Sequence, residues 1–278
     1  MTCLYERMKN YENTDNVEDY QSFLVRVDGK KFSTFTKKYF KKPFDPLFTS
    51  IMTDTANELL CFFNPNLVYV CSDEITLIFM RKYSYDDWKN GEYRTDFRQA
   101  HPFNGRQEKL VTLVASKTSV IFNRRLRETM GDTFFSVDDE PVFDGKFIFF
   151  DCSSPQKENE EIINYLEWRS RQTYANCVSS VCRSVFAGNE KIIKGKGVCE
   201  MIEMMKEKGF DFETEISREL KYGHFCKKIE VSKSVFVDAL NSHTACLRNV
   251  PYNFVVDINS DNYDDTALQT IKDSLKII

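Results

Sequence analysis

Leu67-Val68-Tyr69-Val70-Cys71-Ser72-Asp73-Glu74-Ile75-Thr76-Leu77-Ile78-Phe79 decides the fold. Two runs of β-branched and aromatic residues flank the polar break Ser72-Asp73-Glu74, a pattern that predicts an antiparallel hairpin with acids at or beside its turn. Upstream, Phe23-Leu24-Val25-Arg26-Val27 is another short β-rich run, ended by the turn pair Asp28-Gly29. Two carboxylates, Asp28 and Asp73, therefore fall where predicted strands stop. Between them, residues 32–40 and 48–63 carry apolar residues at helical spacing (Phe48, Ile51, Met52, Thr55, Leu59, Phe62), the second run following the breaker Lys42-Pro43-Phe44-Asp45-Pro46. Strands followed by helical segments in this way give a mixed α+β (α/β) layer.

The same reading continues outward. Residues 83–105 are polar and irregular and read as a long insertion loop before a helix predicted over 106–128. Residues 141–145 form a turn and 147–150 a short buried strand. A long helix is predicted over 157–187, closed by Gly188-Asn189, and another over 198–208, stopped by Gly209. Residues 223–231 supply a last strand; beyond about Leu240 the pattern weakens and no role is assigned to 241–278. No repeat of solenoid period is present.

Composition sets limits on function. A chain of 278 residues with 42% apolar side chains fills a core without help. With a net charge of −4, the molecule as a whole does not attract nucleic acid, so RNA binding must come from local basic patches. The 24 Phe and 13 Tyr sit mostly in mixed apolar runs and read as core rather than as a base-stacking surface. Nine cysteines are scattered without a CxxC spacing, as expected of reduced thiols in a cytoplasmic protein. The acidic start (Glu6, Glu12, Asp15, Glu18, Asp19) and the lack of a long apolar run predict no presequence and no membrane segment.

The chemistry rests on Asp28 and Asp73. Magnesium prefers hard oxygen ligands and takes one or two carboxylates alongside substrate phosphates and water. Gly29, without a Cβ, would admit a backbone carbonyl or a phosphate. Two ions sharing such carboxylates can activate the attacking oxygen and stabilise the leaving one. On spacing alone the alternatives stay open, since Asp-Gly is a common turn and Ser-Asp-Glu a common cap or solvated loop.

The residues around the acids narrow this. Val25-Arg26-Val27-Asp28-Gly29-Lys30-Lys31-Phe32 and Tyr69-Val70-Cys71-Ser72-Asp73-Glu74-Ile75-Thr76-Leu77-Ile78-Phe79 resemble the two metal-site motifs of the tRNA-histidine guanylyltransferase superfamily. The resemblance continues at Lys42-Pro43-Phe44-Asp45, at Phe103 to Leu110 followed by Ala115-Ser116, at Phe143-Asp144-Gly145-Lys146 and at Tyr165-Leu166-Glu167-Trp168-Arg169. It implies a polymerase-palm-like antiparallel sheet flanked by helices, spanning residues 1–240, with 241–278 as a C-terminal extension. It further implies two Mg2+ ions per site, held by Asp28, Gly29 and Asp73, with Glu74 as a further ligand or a carboxylate just behind them. Gly29, Lys30, Lys31, Phe32, Ser33 and Ser72 would hold the triphosphate. Exposed amides after a turn and ammonium groups both favour polyphosphate. Lys42, Asp45, Arg106 and Lys109 match positions for nucleotide binding and 5′-end activation, and Arg169, Arg171 and Asn176 are carried over as RNA contacts. Trp168, on a long helix, reads as core.

One departure directs the functional expectation. Where eukaryotic tRNA-histidine guanylyltransferases carry His-x-Asn-Asn, this chain has Tyr174-Ala175-Asn176-Cys177. It thus resembles the like-protein branch, which implies template-dependent 3′-5′ nucleotide addition to 5′-truncated or mismatched tRNA. ATP or GTP would activate the 5′ end, with other NTPs as substrates and a homotetramer, a dimer of dimers, as the assembly. The alternatives are a guanylyltransferase adding G at position −1, a nucleotidyl cyclase, and a catalytically idle tRNA-binding module.

Overall fold

The computed structural model describes residues 15–91, 100–131, 140–152, 154–237 and 242–256, together with 269, 271–273 and 275 near the C-terminus. Its centre is an antiparallel sheet of β1 (Phe23–Gly29), β2 (Leu67–Cys71), β3 (Glu74–Phe79), β4 (Phe143–Phe149), β5 (His224–Val237) and β6 (Ser242–Phe254), in the order β4-β1-β3-β2-β5-β6. The stretch from Leu67 to Phe79 is the β2–β3 hairpin, paired from Leu67↔Ile78 to Cys71↔Glu74. Every residue of both strands is buried, as expected of central strands covered on both faces.

Alternation along the strands divides the sheet into two faces. One face, with Phe23, Val25, Val27, Val68, Val70, Ile75 and Leu77, packs against helices α1 (Phe32–Tyr39), α2 (Pro46–Phe63) and α4 (Gln107–Met130). The opposite face, with Leu24, Leu67, Tyr69 and Ile78, packs against the first half of α5 (Pro155–Val185), and Ile271 and Leu275 are buried in the same cluster. At 31 residues, α5 is about 46 Å long, so it reaches past the sheet. Its second half, through Cys177, Val178, Val181 and Cys182, forms a separate helical core with α6 (Val198–Glu207) and Phe212 of the short α7 (Phe212–Glu215). A last short helix, α8 (Arg218–Tyr222), leads through Gly223 into β5.

Several expectations are corrected. The insertion at 83–105 is not wholly irregular. Ser84 caps a short helix, α3 (Tyr85–Asn90), and Pro102–Gly105 is a 3-10 turn; positions 92–99 lie outside the described residues. The strand expected over 147–150 is the longer β4 and is not buried, because it is the sheet edge beyond β1 and only Phe143 among its residues is buried. The boundary at 240 divides a hairpin, since β5 and β6 pair from Phe225↔Phe254 to Val237↔Ser242. Trp168 is 48% exposed, lying beside Arg169 and Tyr165 on the surface of α5. No helix among the described residues is long and apolar enough to cross a membrane.

Candidate active site

The sheet face beneath α5 changes character along its length. Leu24 and Ile78 lie at the apolar end, Arg26, Thr76 and Lys146 come next, and Asp28 then stands directly opposite Glu74 on β3 and Asp144 on β4. Directly opposed residues of antiparallel strands share a face, so three carboxylates are gathered where the sheet ends. Asp73 joins them from the hairpin turn, where its carbonyl accepts the Gly29 amide at 3.1 Å. Ser72, with φ 53°, makes the tight turn possible, and its hydroxyl donates to Asp73 Oδ1 at 3.0 Å.

The four acids are not equivalent. Glu74 is 4% exposed and receives Arg169 Nε at 2.9 Å, with Arg26 Nε 3.6 Å away; Arg26 in turn donates to the Tyr165 hydroxyl at 3.1 Å. Its charge is balanced from behind. Asp28 and Asp73 have no such partner among the described residues. Burial first, then repulsion from Asp144, holds Asp28 above the usual carboxylate range, with Arg26 and Arg169 opposing. Burial and then repulsion from Asp28 do the same to Asp73, with Lys42 among the opposing influences. Asp144, exposed on the edge strand, completes an electronegative corner. The thiol of Cys71 beneath Glu74 is pushed up to about 12, by burial and then by Glu74. It is a neutral packing group and not a nucleophile.

Asp28 and Asp73 open onto a cleft of about 300 Å³. Its walls come from the α1–α2 connection, the Cys71–Glu74 turn, the middle of α5 and the α8–β5 junction. Phe40, Phe44, Phe48, Met52 and Leu220 line it with apolar surface, and Lys41, Lys42, Thr49, Asn176, Ser180 and His224 add polar groups. Lys42 folds back so that its ammonium donates to Thr36 Oγ1 at 2.6 Å. Local desolvation lowers its pKa, against the pull of Asp73. An apolar slot ending in paired acids and two lysines suits a flat ring joined to a polyphosphate.

The carboxylate pair fits a divalent cation. Two partly buried acids whose pKa values are raised by burial and by a neighbouring carboxylate, Asp144 for Asp28 and Asp28 for Asp73, are relieved by a positive charge between them. No group of three or more His, Cys, Asp or Glu side chains able to hold a metal occurs among the described residues. Backbone carbonyl, phosphate and water oxygens would therefore complete the shell, as magnesium favours.

The remaining expected site residues are placed unevenly. Lys42, Asp45, Ser72, Glu74, Arg169 and Asn176 line the cleft with the two aspartates. Arg106 and Lys109, at the start of α4, do not. Arg106 is exposed, and Lys109 lies over the Phe103 ring, 5.4 Å from its centroid. Arg171 is turned to solvent and paired to Glu167. Asp45 is engaged as the N-cap of α2, accepting the Leu47 and Lys41 amides, each at 2.9 Å. Lys30, Lys31 and Ser33 are exposed around the start of α1, whereas the Phe32 side chain is buried in the aromatic core, so only its backbone is left for a phosphate. The need for glycine at position 29 also differs from expectation, because a Cβ there would come within 2.3 Å of the Phe32 ring.

Asp144 and the floor of the cleft were not singled out from sequence. The Asp144-Gly145 pair repeats the Asp28-Gly29 pattern and was the available signal. Asn176, Cys177 and Ser180 of α5 face Phe40, Phe44 and Phe48 only through tertiary packing.

Comparison with known proteins shows what the chain is similar to. The family model described as tRNAHis guanylyltransferase matches residues 5–151. An uncharacterized protein of Acanthamoeba polyphaga mimivirus is 33% identical over 235 residues, 80% of this chain and 76% of that protein. The tRNA(His) guanylyltransferase 2 of Arabidopsis thaliana is 26% identical over 205 residues, 73% of this chain but only 33% of the plant protein; the chain thus spans about a third of that relative. A bacterial tRNA(His) guanylyltransferase-like protein solved in complex with ATP superposes with a TM-score of 0.65 at 25% identity, covering 82% of this chain and 87% of that one. The complex of such a bacterial protein with GTP gives 0.67 at 20% identity and 99% coverage of each chain, a likeness of fold.

Proposed function

The chain belongs to the tRNAHis guanylyltransferase family of nucleotidyltransferases, on its like-protein branch, and from that premise we propose that it adds nucleotides in the 3′-5′ direction to the 5′ end of a tRNA, directed by the opposite strand. The observation that carries the reading is the convergence of Asp28 and Asp73 on a cleft with an aromatic floor and Lys41 and Lys42 beside it. A bacterial relative solved in complex with ATP supports nucleotide binding, and the cleft is where we place it.

The chain's own residues divide the work. Phe40, Phe44, Phe48 and Met52 bury a base and remove water from around it. Lys42, with Lys41, neutralises the polyphosphate and the charge that develops on departing pyrophosphate. Asp28, Asp73 and the Gly29 carbonyl would hold the magnesium ions, with Glu74 fixed behind them by Arg169. When bound, those ions supply activation of the attacking 3′ hydroxyl and stabilisation of the leaving oxygen in an in-line displacement. Arg106 and Lys109, outside the cleft, are part of the proposal as contacts to the 5′ end of the RNA, as are the exposed Lys30, Lys31 and Ser33 for the triphosphate.

Templating rather than fixed guanylation is supported by position 174. The Tyr174 hydroxyl donates to Glu213 at 2.8 Å and its ring stacks on Tyr222, so this side chain is committed to internal packing. Base pairing then has to choose the nucleotide, and the protein needs to read only RNA shape. We also carry a homotetramer as part of this reading, checked by light scattering in solution.

The deciding assay offers all four NTPs, one at a time, to a tRNA transcript lacking its first nucleotide, with each base in turn at the opposing position. Addition should follow complementarity. Addition of G whatever the template would sink the templated reading in favour of guanylation at −1. A cyclic product without RNA extension would sink it in favour of a cyclase, and no product at all would leave the idle module.

A further inference from the structure

The face of α5 that lines the cleft continues past Ser180. Arg169, Thr173, Asn176 and Ser180 line the cleft from α5, and the next position on that stripe is Arg183. Steps of four, three, four and three residues stay on one face of a helix. From Arg169 to Arg183 the helix advances about 21 Å and returns to within roughly 40° of the same direction. There a second hollow of about 540 Å³ is lined by Ser179, Arg183, Lys191, Lys194, Lys196 and Met201.

The charge of this hollow is unusual for an acidic chain. Lys191-Ile192-Ile193-Lys194-Gly195-Lys196 runs from the 3-10 turn Glu190–Ile193 towards α6, and its three lysines and Arg183 are exposed. Lys196 is paired with Glu200 at 2.9 Å. Arg183, Lys191 and Lys194 have no ion-pair partner among the described residues. Four cations around a concave surface repel one another, and a polyanion relieves that repulsion. Ile193 and Met201 pack into the helical core beneath, so the loop is anchored while its cations face outward.

We propose that this hollow holds backbone phosphates of a duplex RNA whose end lies at Asp28 and Asp73. The inference rests on the nucleotidyltransferase reading for what occupies the cleft, but the binding itself is sequence-independent. It provides the local basic patch that a chain of net charge −4 requires to hold RNA. The same chemistry would serve the triphosphate of a free nucleotide, and the test separates the two sources.

The probe is a 3′-labelled tRNA transcript lacking its first nucleotide, titrated by fluorescence anisotropy at several salt concentrations from about 50 to 200 mM, with ATP titrated in parallel. For Lys191→Ala/Lys194→Ala, the tRNA Kd should rise about tenfold. The slope of log affinity against log salt should shrink by about 2, one for each phosphate that the protein no longer neutralises. The ATP Kd should hold, and Lys191→Arg/Lys194→Arg should restore RNA affinity. Because both lysines are exposed, the melting temperature should not move, and single Lys194→Ala gives about half the slope change. An unchanged tRNA Kd and slope overturns the proposal, as a surface reserved for a protein partner would give. A weakened ATP Kd overturns it in favour of a triphosphate site. Wild-type protein that binds tRNA with this patch-dependent slope but adds no nucleotide would refute the functional reading alone; wild-type protein that binds no tRNA would refute both.

Discussion

Glu74 and Arg169 show how single side chains set the chemistry of the corner. A carboxylate at 4% exposure survives as an anion only because a guanidinium lies against it, and removing one member of a buried pair is far costlier than removing an exposed one. Arg169→Ala should therefore lower stability by about 3 kcal/mol, whereas Arg171→Ala, which loses an exposed pair with Glu167, should cost about 0.5 kcal/mol or less. Urea unfolding of both variants measures the contrast, and equal losses would contradict the role given to Glu74. Burial raises Glu74 against the pull of Arg169 and Arg26, and Asp28 and Asp73 are raised without a guanidinium in contact among the described residues. Their folded pKa values lie above the ordinary value, so the stability they contribute is present below about pH 4 and is lost as pH rises through the raised values. Asp28→Asn and Asp73→Asn should each raise the melting temperature of the metal-free protein at neutral pH while lowering nucleotide addition by roughly a hundredfold or more. The gain in melting temperature should fade towards pH 4. A neutral-pH melting temperature that falls instead would mean that the acids are held by cationic partners after all.

At the scale of elements, α2 is positioned by its first residues. Asp45 caps it, accepting two amides, and Pro46 occupies the first turn, where its missing N–H costs nothing. Asp45→Ala should cost about 1 kcal/mol, and Asp45→Ser, which keeps a capping oxygen, should recover most of it. If Asp45→Ser also leaves the KM for ATP unchanged, Asp45 acts by placing Phe48 and Met52 in the cleft wall; a raised KM would instead give its carboxylate direct contact with the nucleotide. The elements that were legible in the sequence share one property: β1, β2, β3, α2 and α5 have apolar periodicity bounded by turn residues or caps. Those that were missed lack it. The run Ser242-His243-Thr244-Ala245-Cys246-Leu247-Arg248-Asn249-Val250-Pro251 reads as no strand, because it alternates poorly and contains proline. Its pairing with β5, not burial of one face, defines it. For the same reason Asp28 and Asp73 can be found by their flanking residues, while those of Asp144 mark a motif but not its role in the corner. Its place opposite Asp28 depends on the β1–β4 register, which no local pattern encodes.

The whole molecule carries a built-in sensitivity to acid. Of three histidines, His101 and His224 are buried, and burial brings each down to about 4. At His101 the geometry gives the reason. Nε2 lies 2.8 Å from the Gln21 carbonyl and so carries the proton, Nδ1 is buried without a partner among the described residues, and the ring packs edge-on to Phe23. A second proton would place an unsatisfied N–H in the core. At His224, Nε2 lies 3.3 Å from Thr53 Oγ1 and Nδ1 3.1 Å from Glu219, at the junction of α8 with β5 beside the cleft. Both histidines have folded pKa values depressed below about 6.5. The unfolded chain therefore takes up protons between about pH 6.5 and 4 that the folded chain refuses, and stability falls as pH drops through that window. Two such groups give a slope of up to about 2.7 kcal/mol per pH unit near pH 5. Asp28 and Asp73, raised above the ordinary carboxylate value, act in the opposite direction. Urea midpoints measured at pH 7.5, 6 and 5 should fall in that order, and His101→Phe, which removes one titrating group from an aromatic core, should lower the slope by about half. His224, lowered to about 4 by burial, stays neutral beside Glu219 in the folded chain over this range, so the loss is one of overall stability. A stability profile that is flat from pH 7.5 to 5 would rule out this account of both histidines.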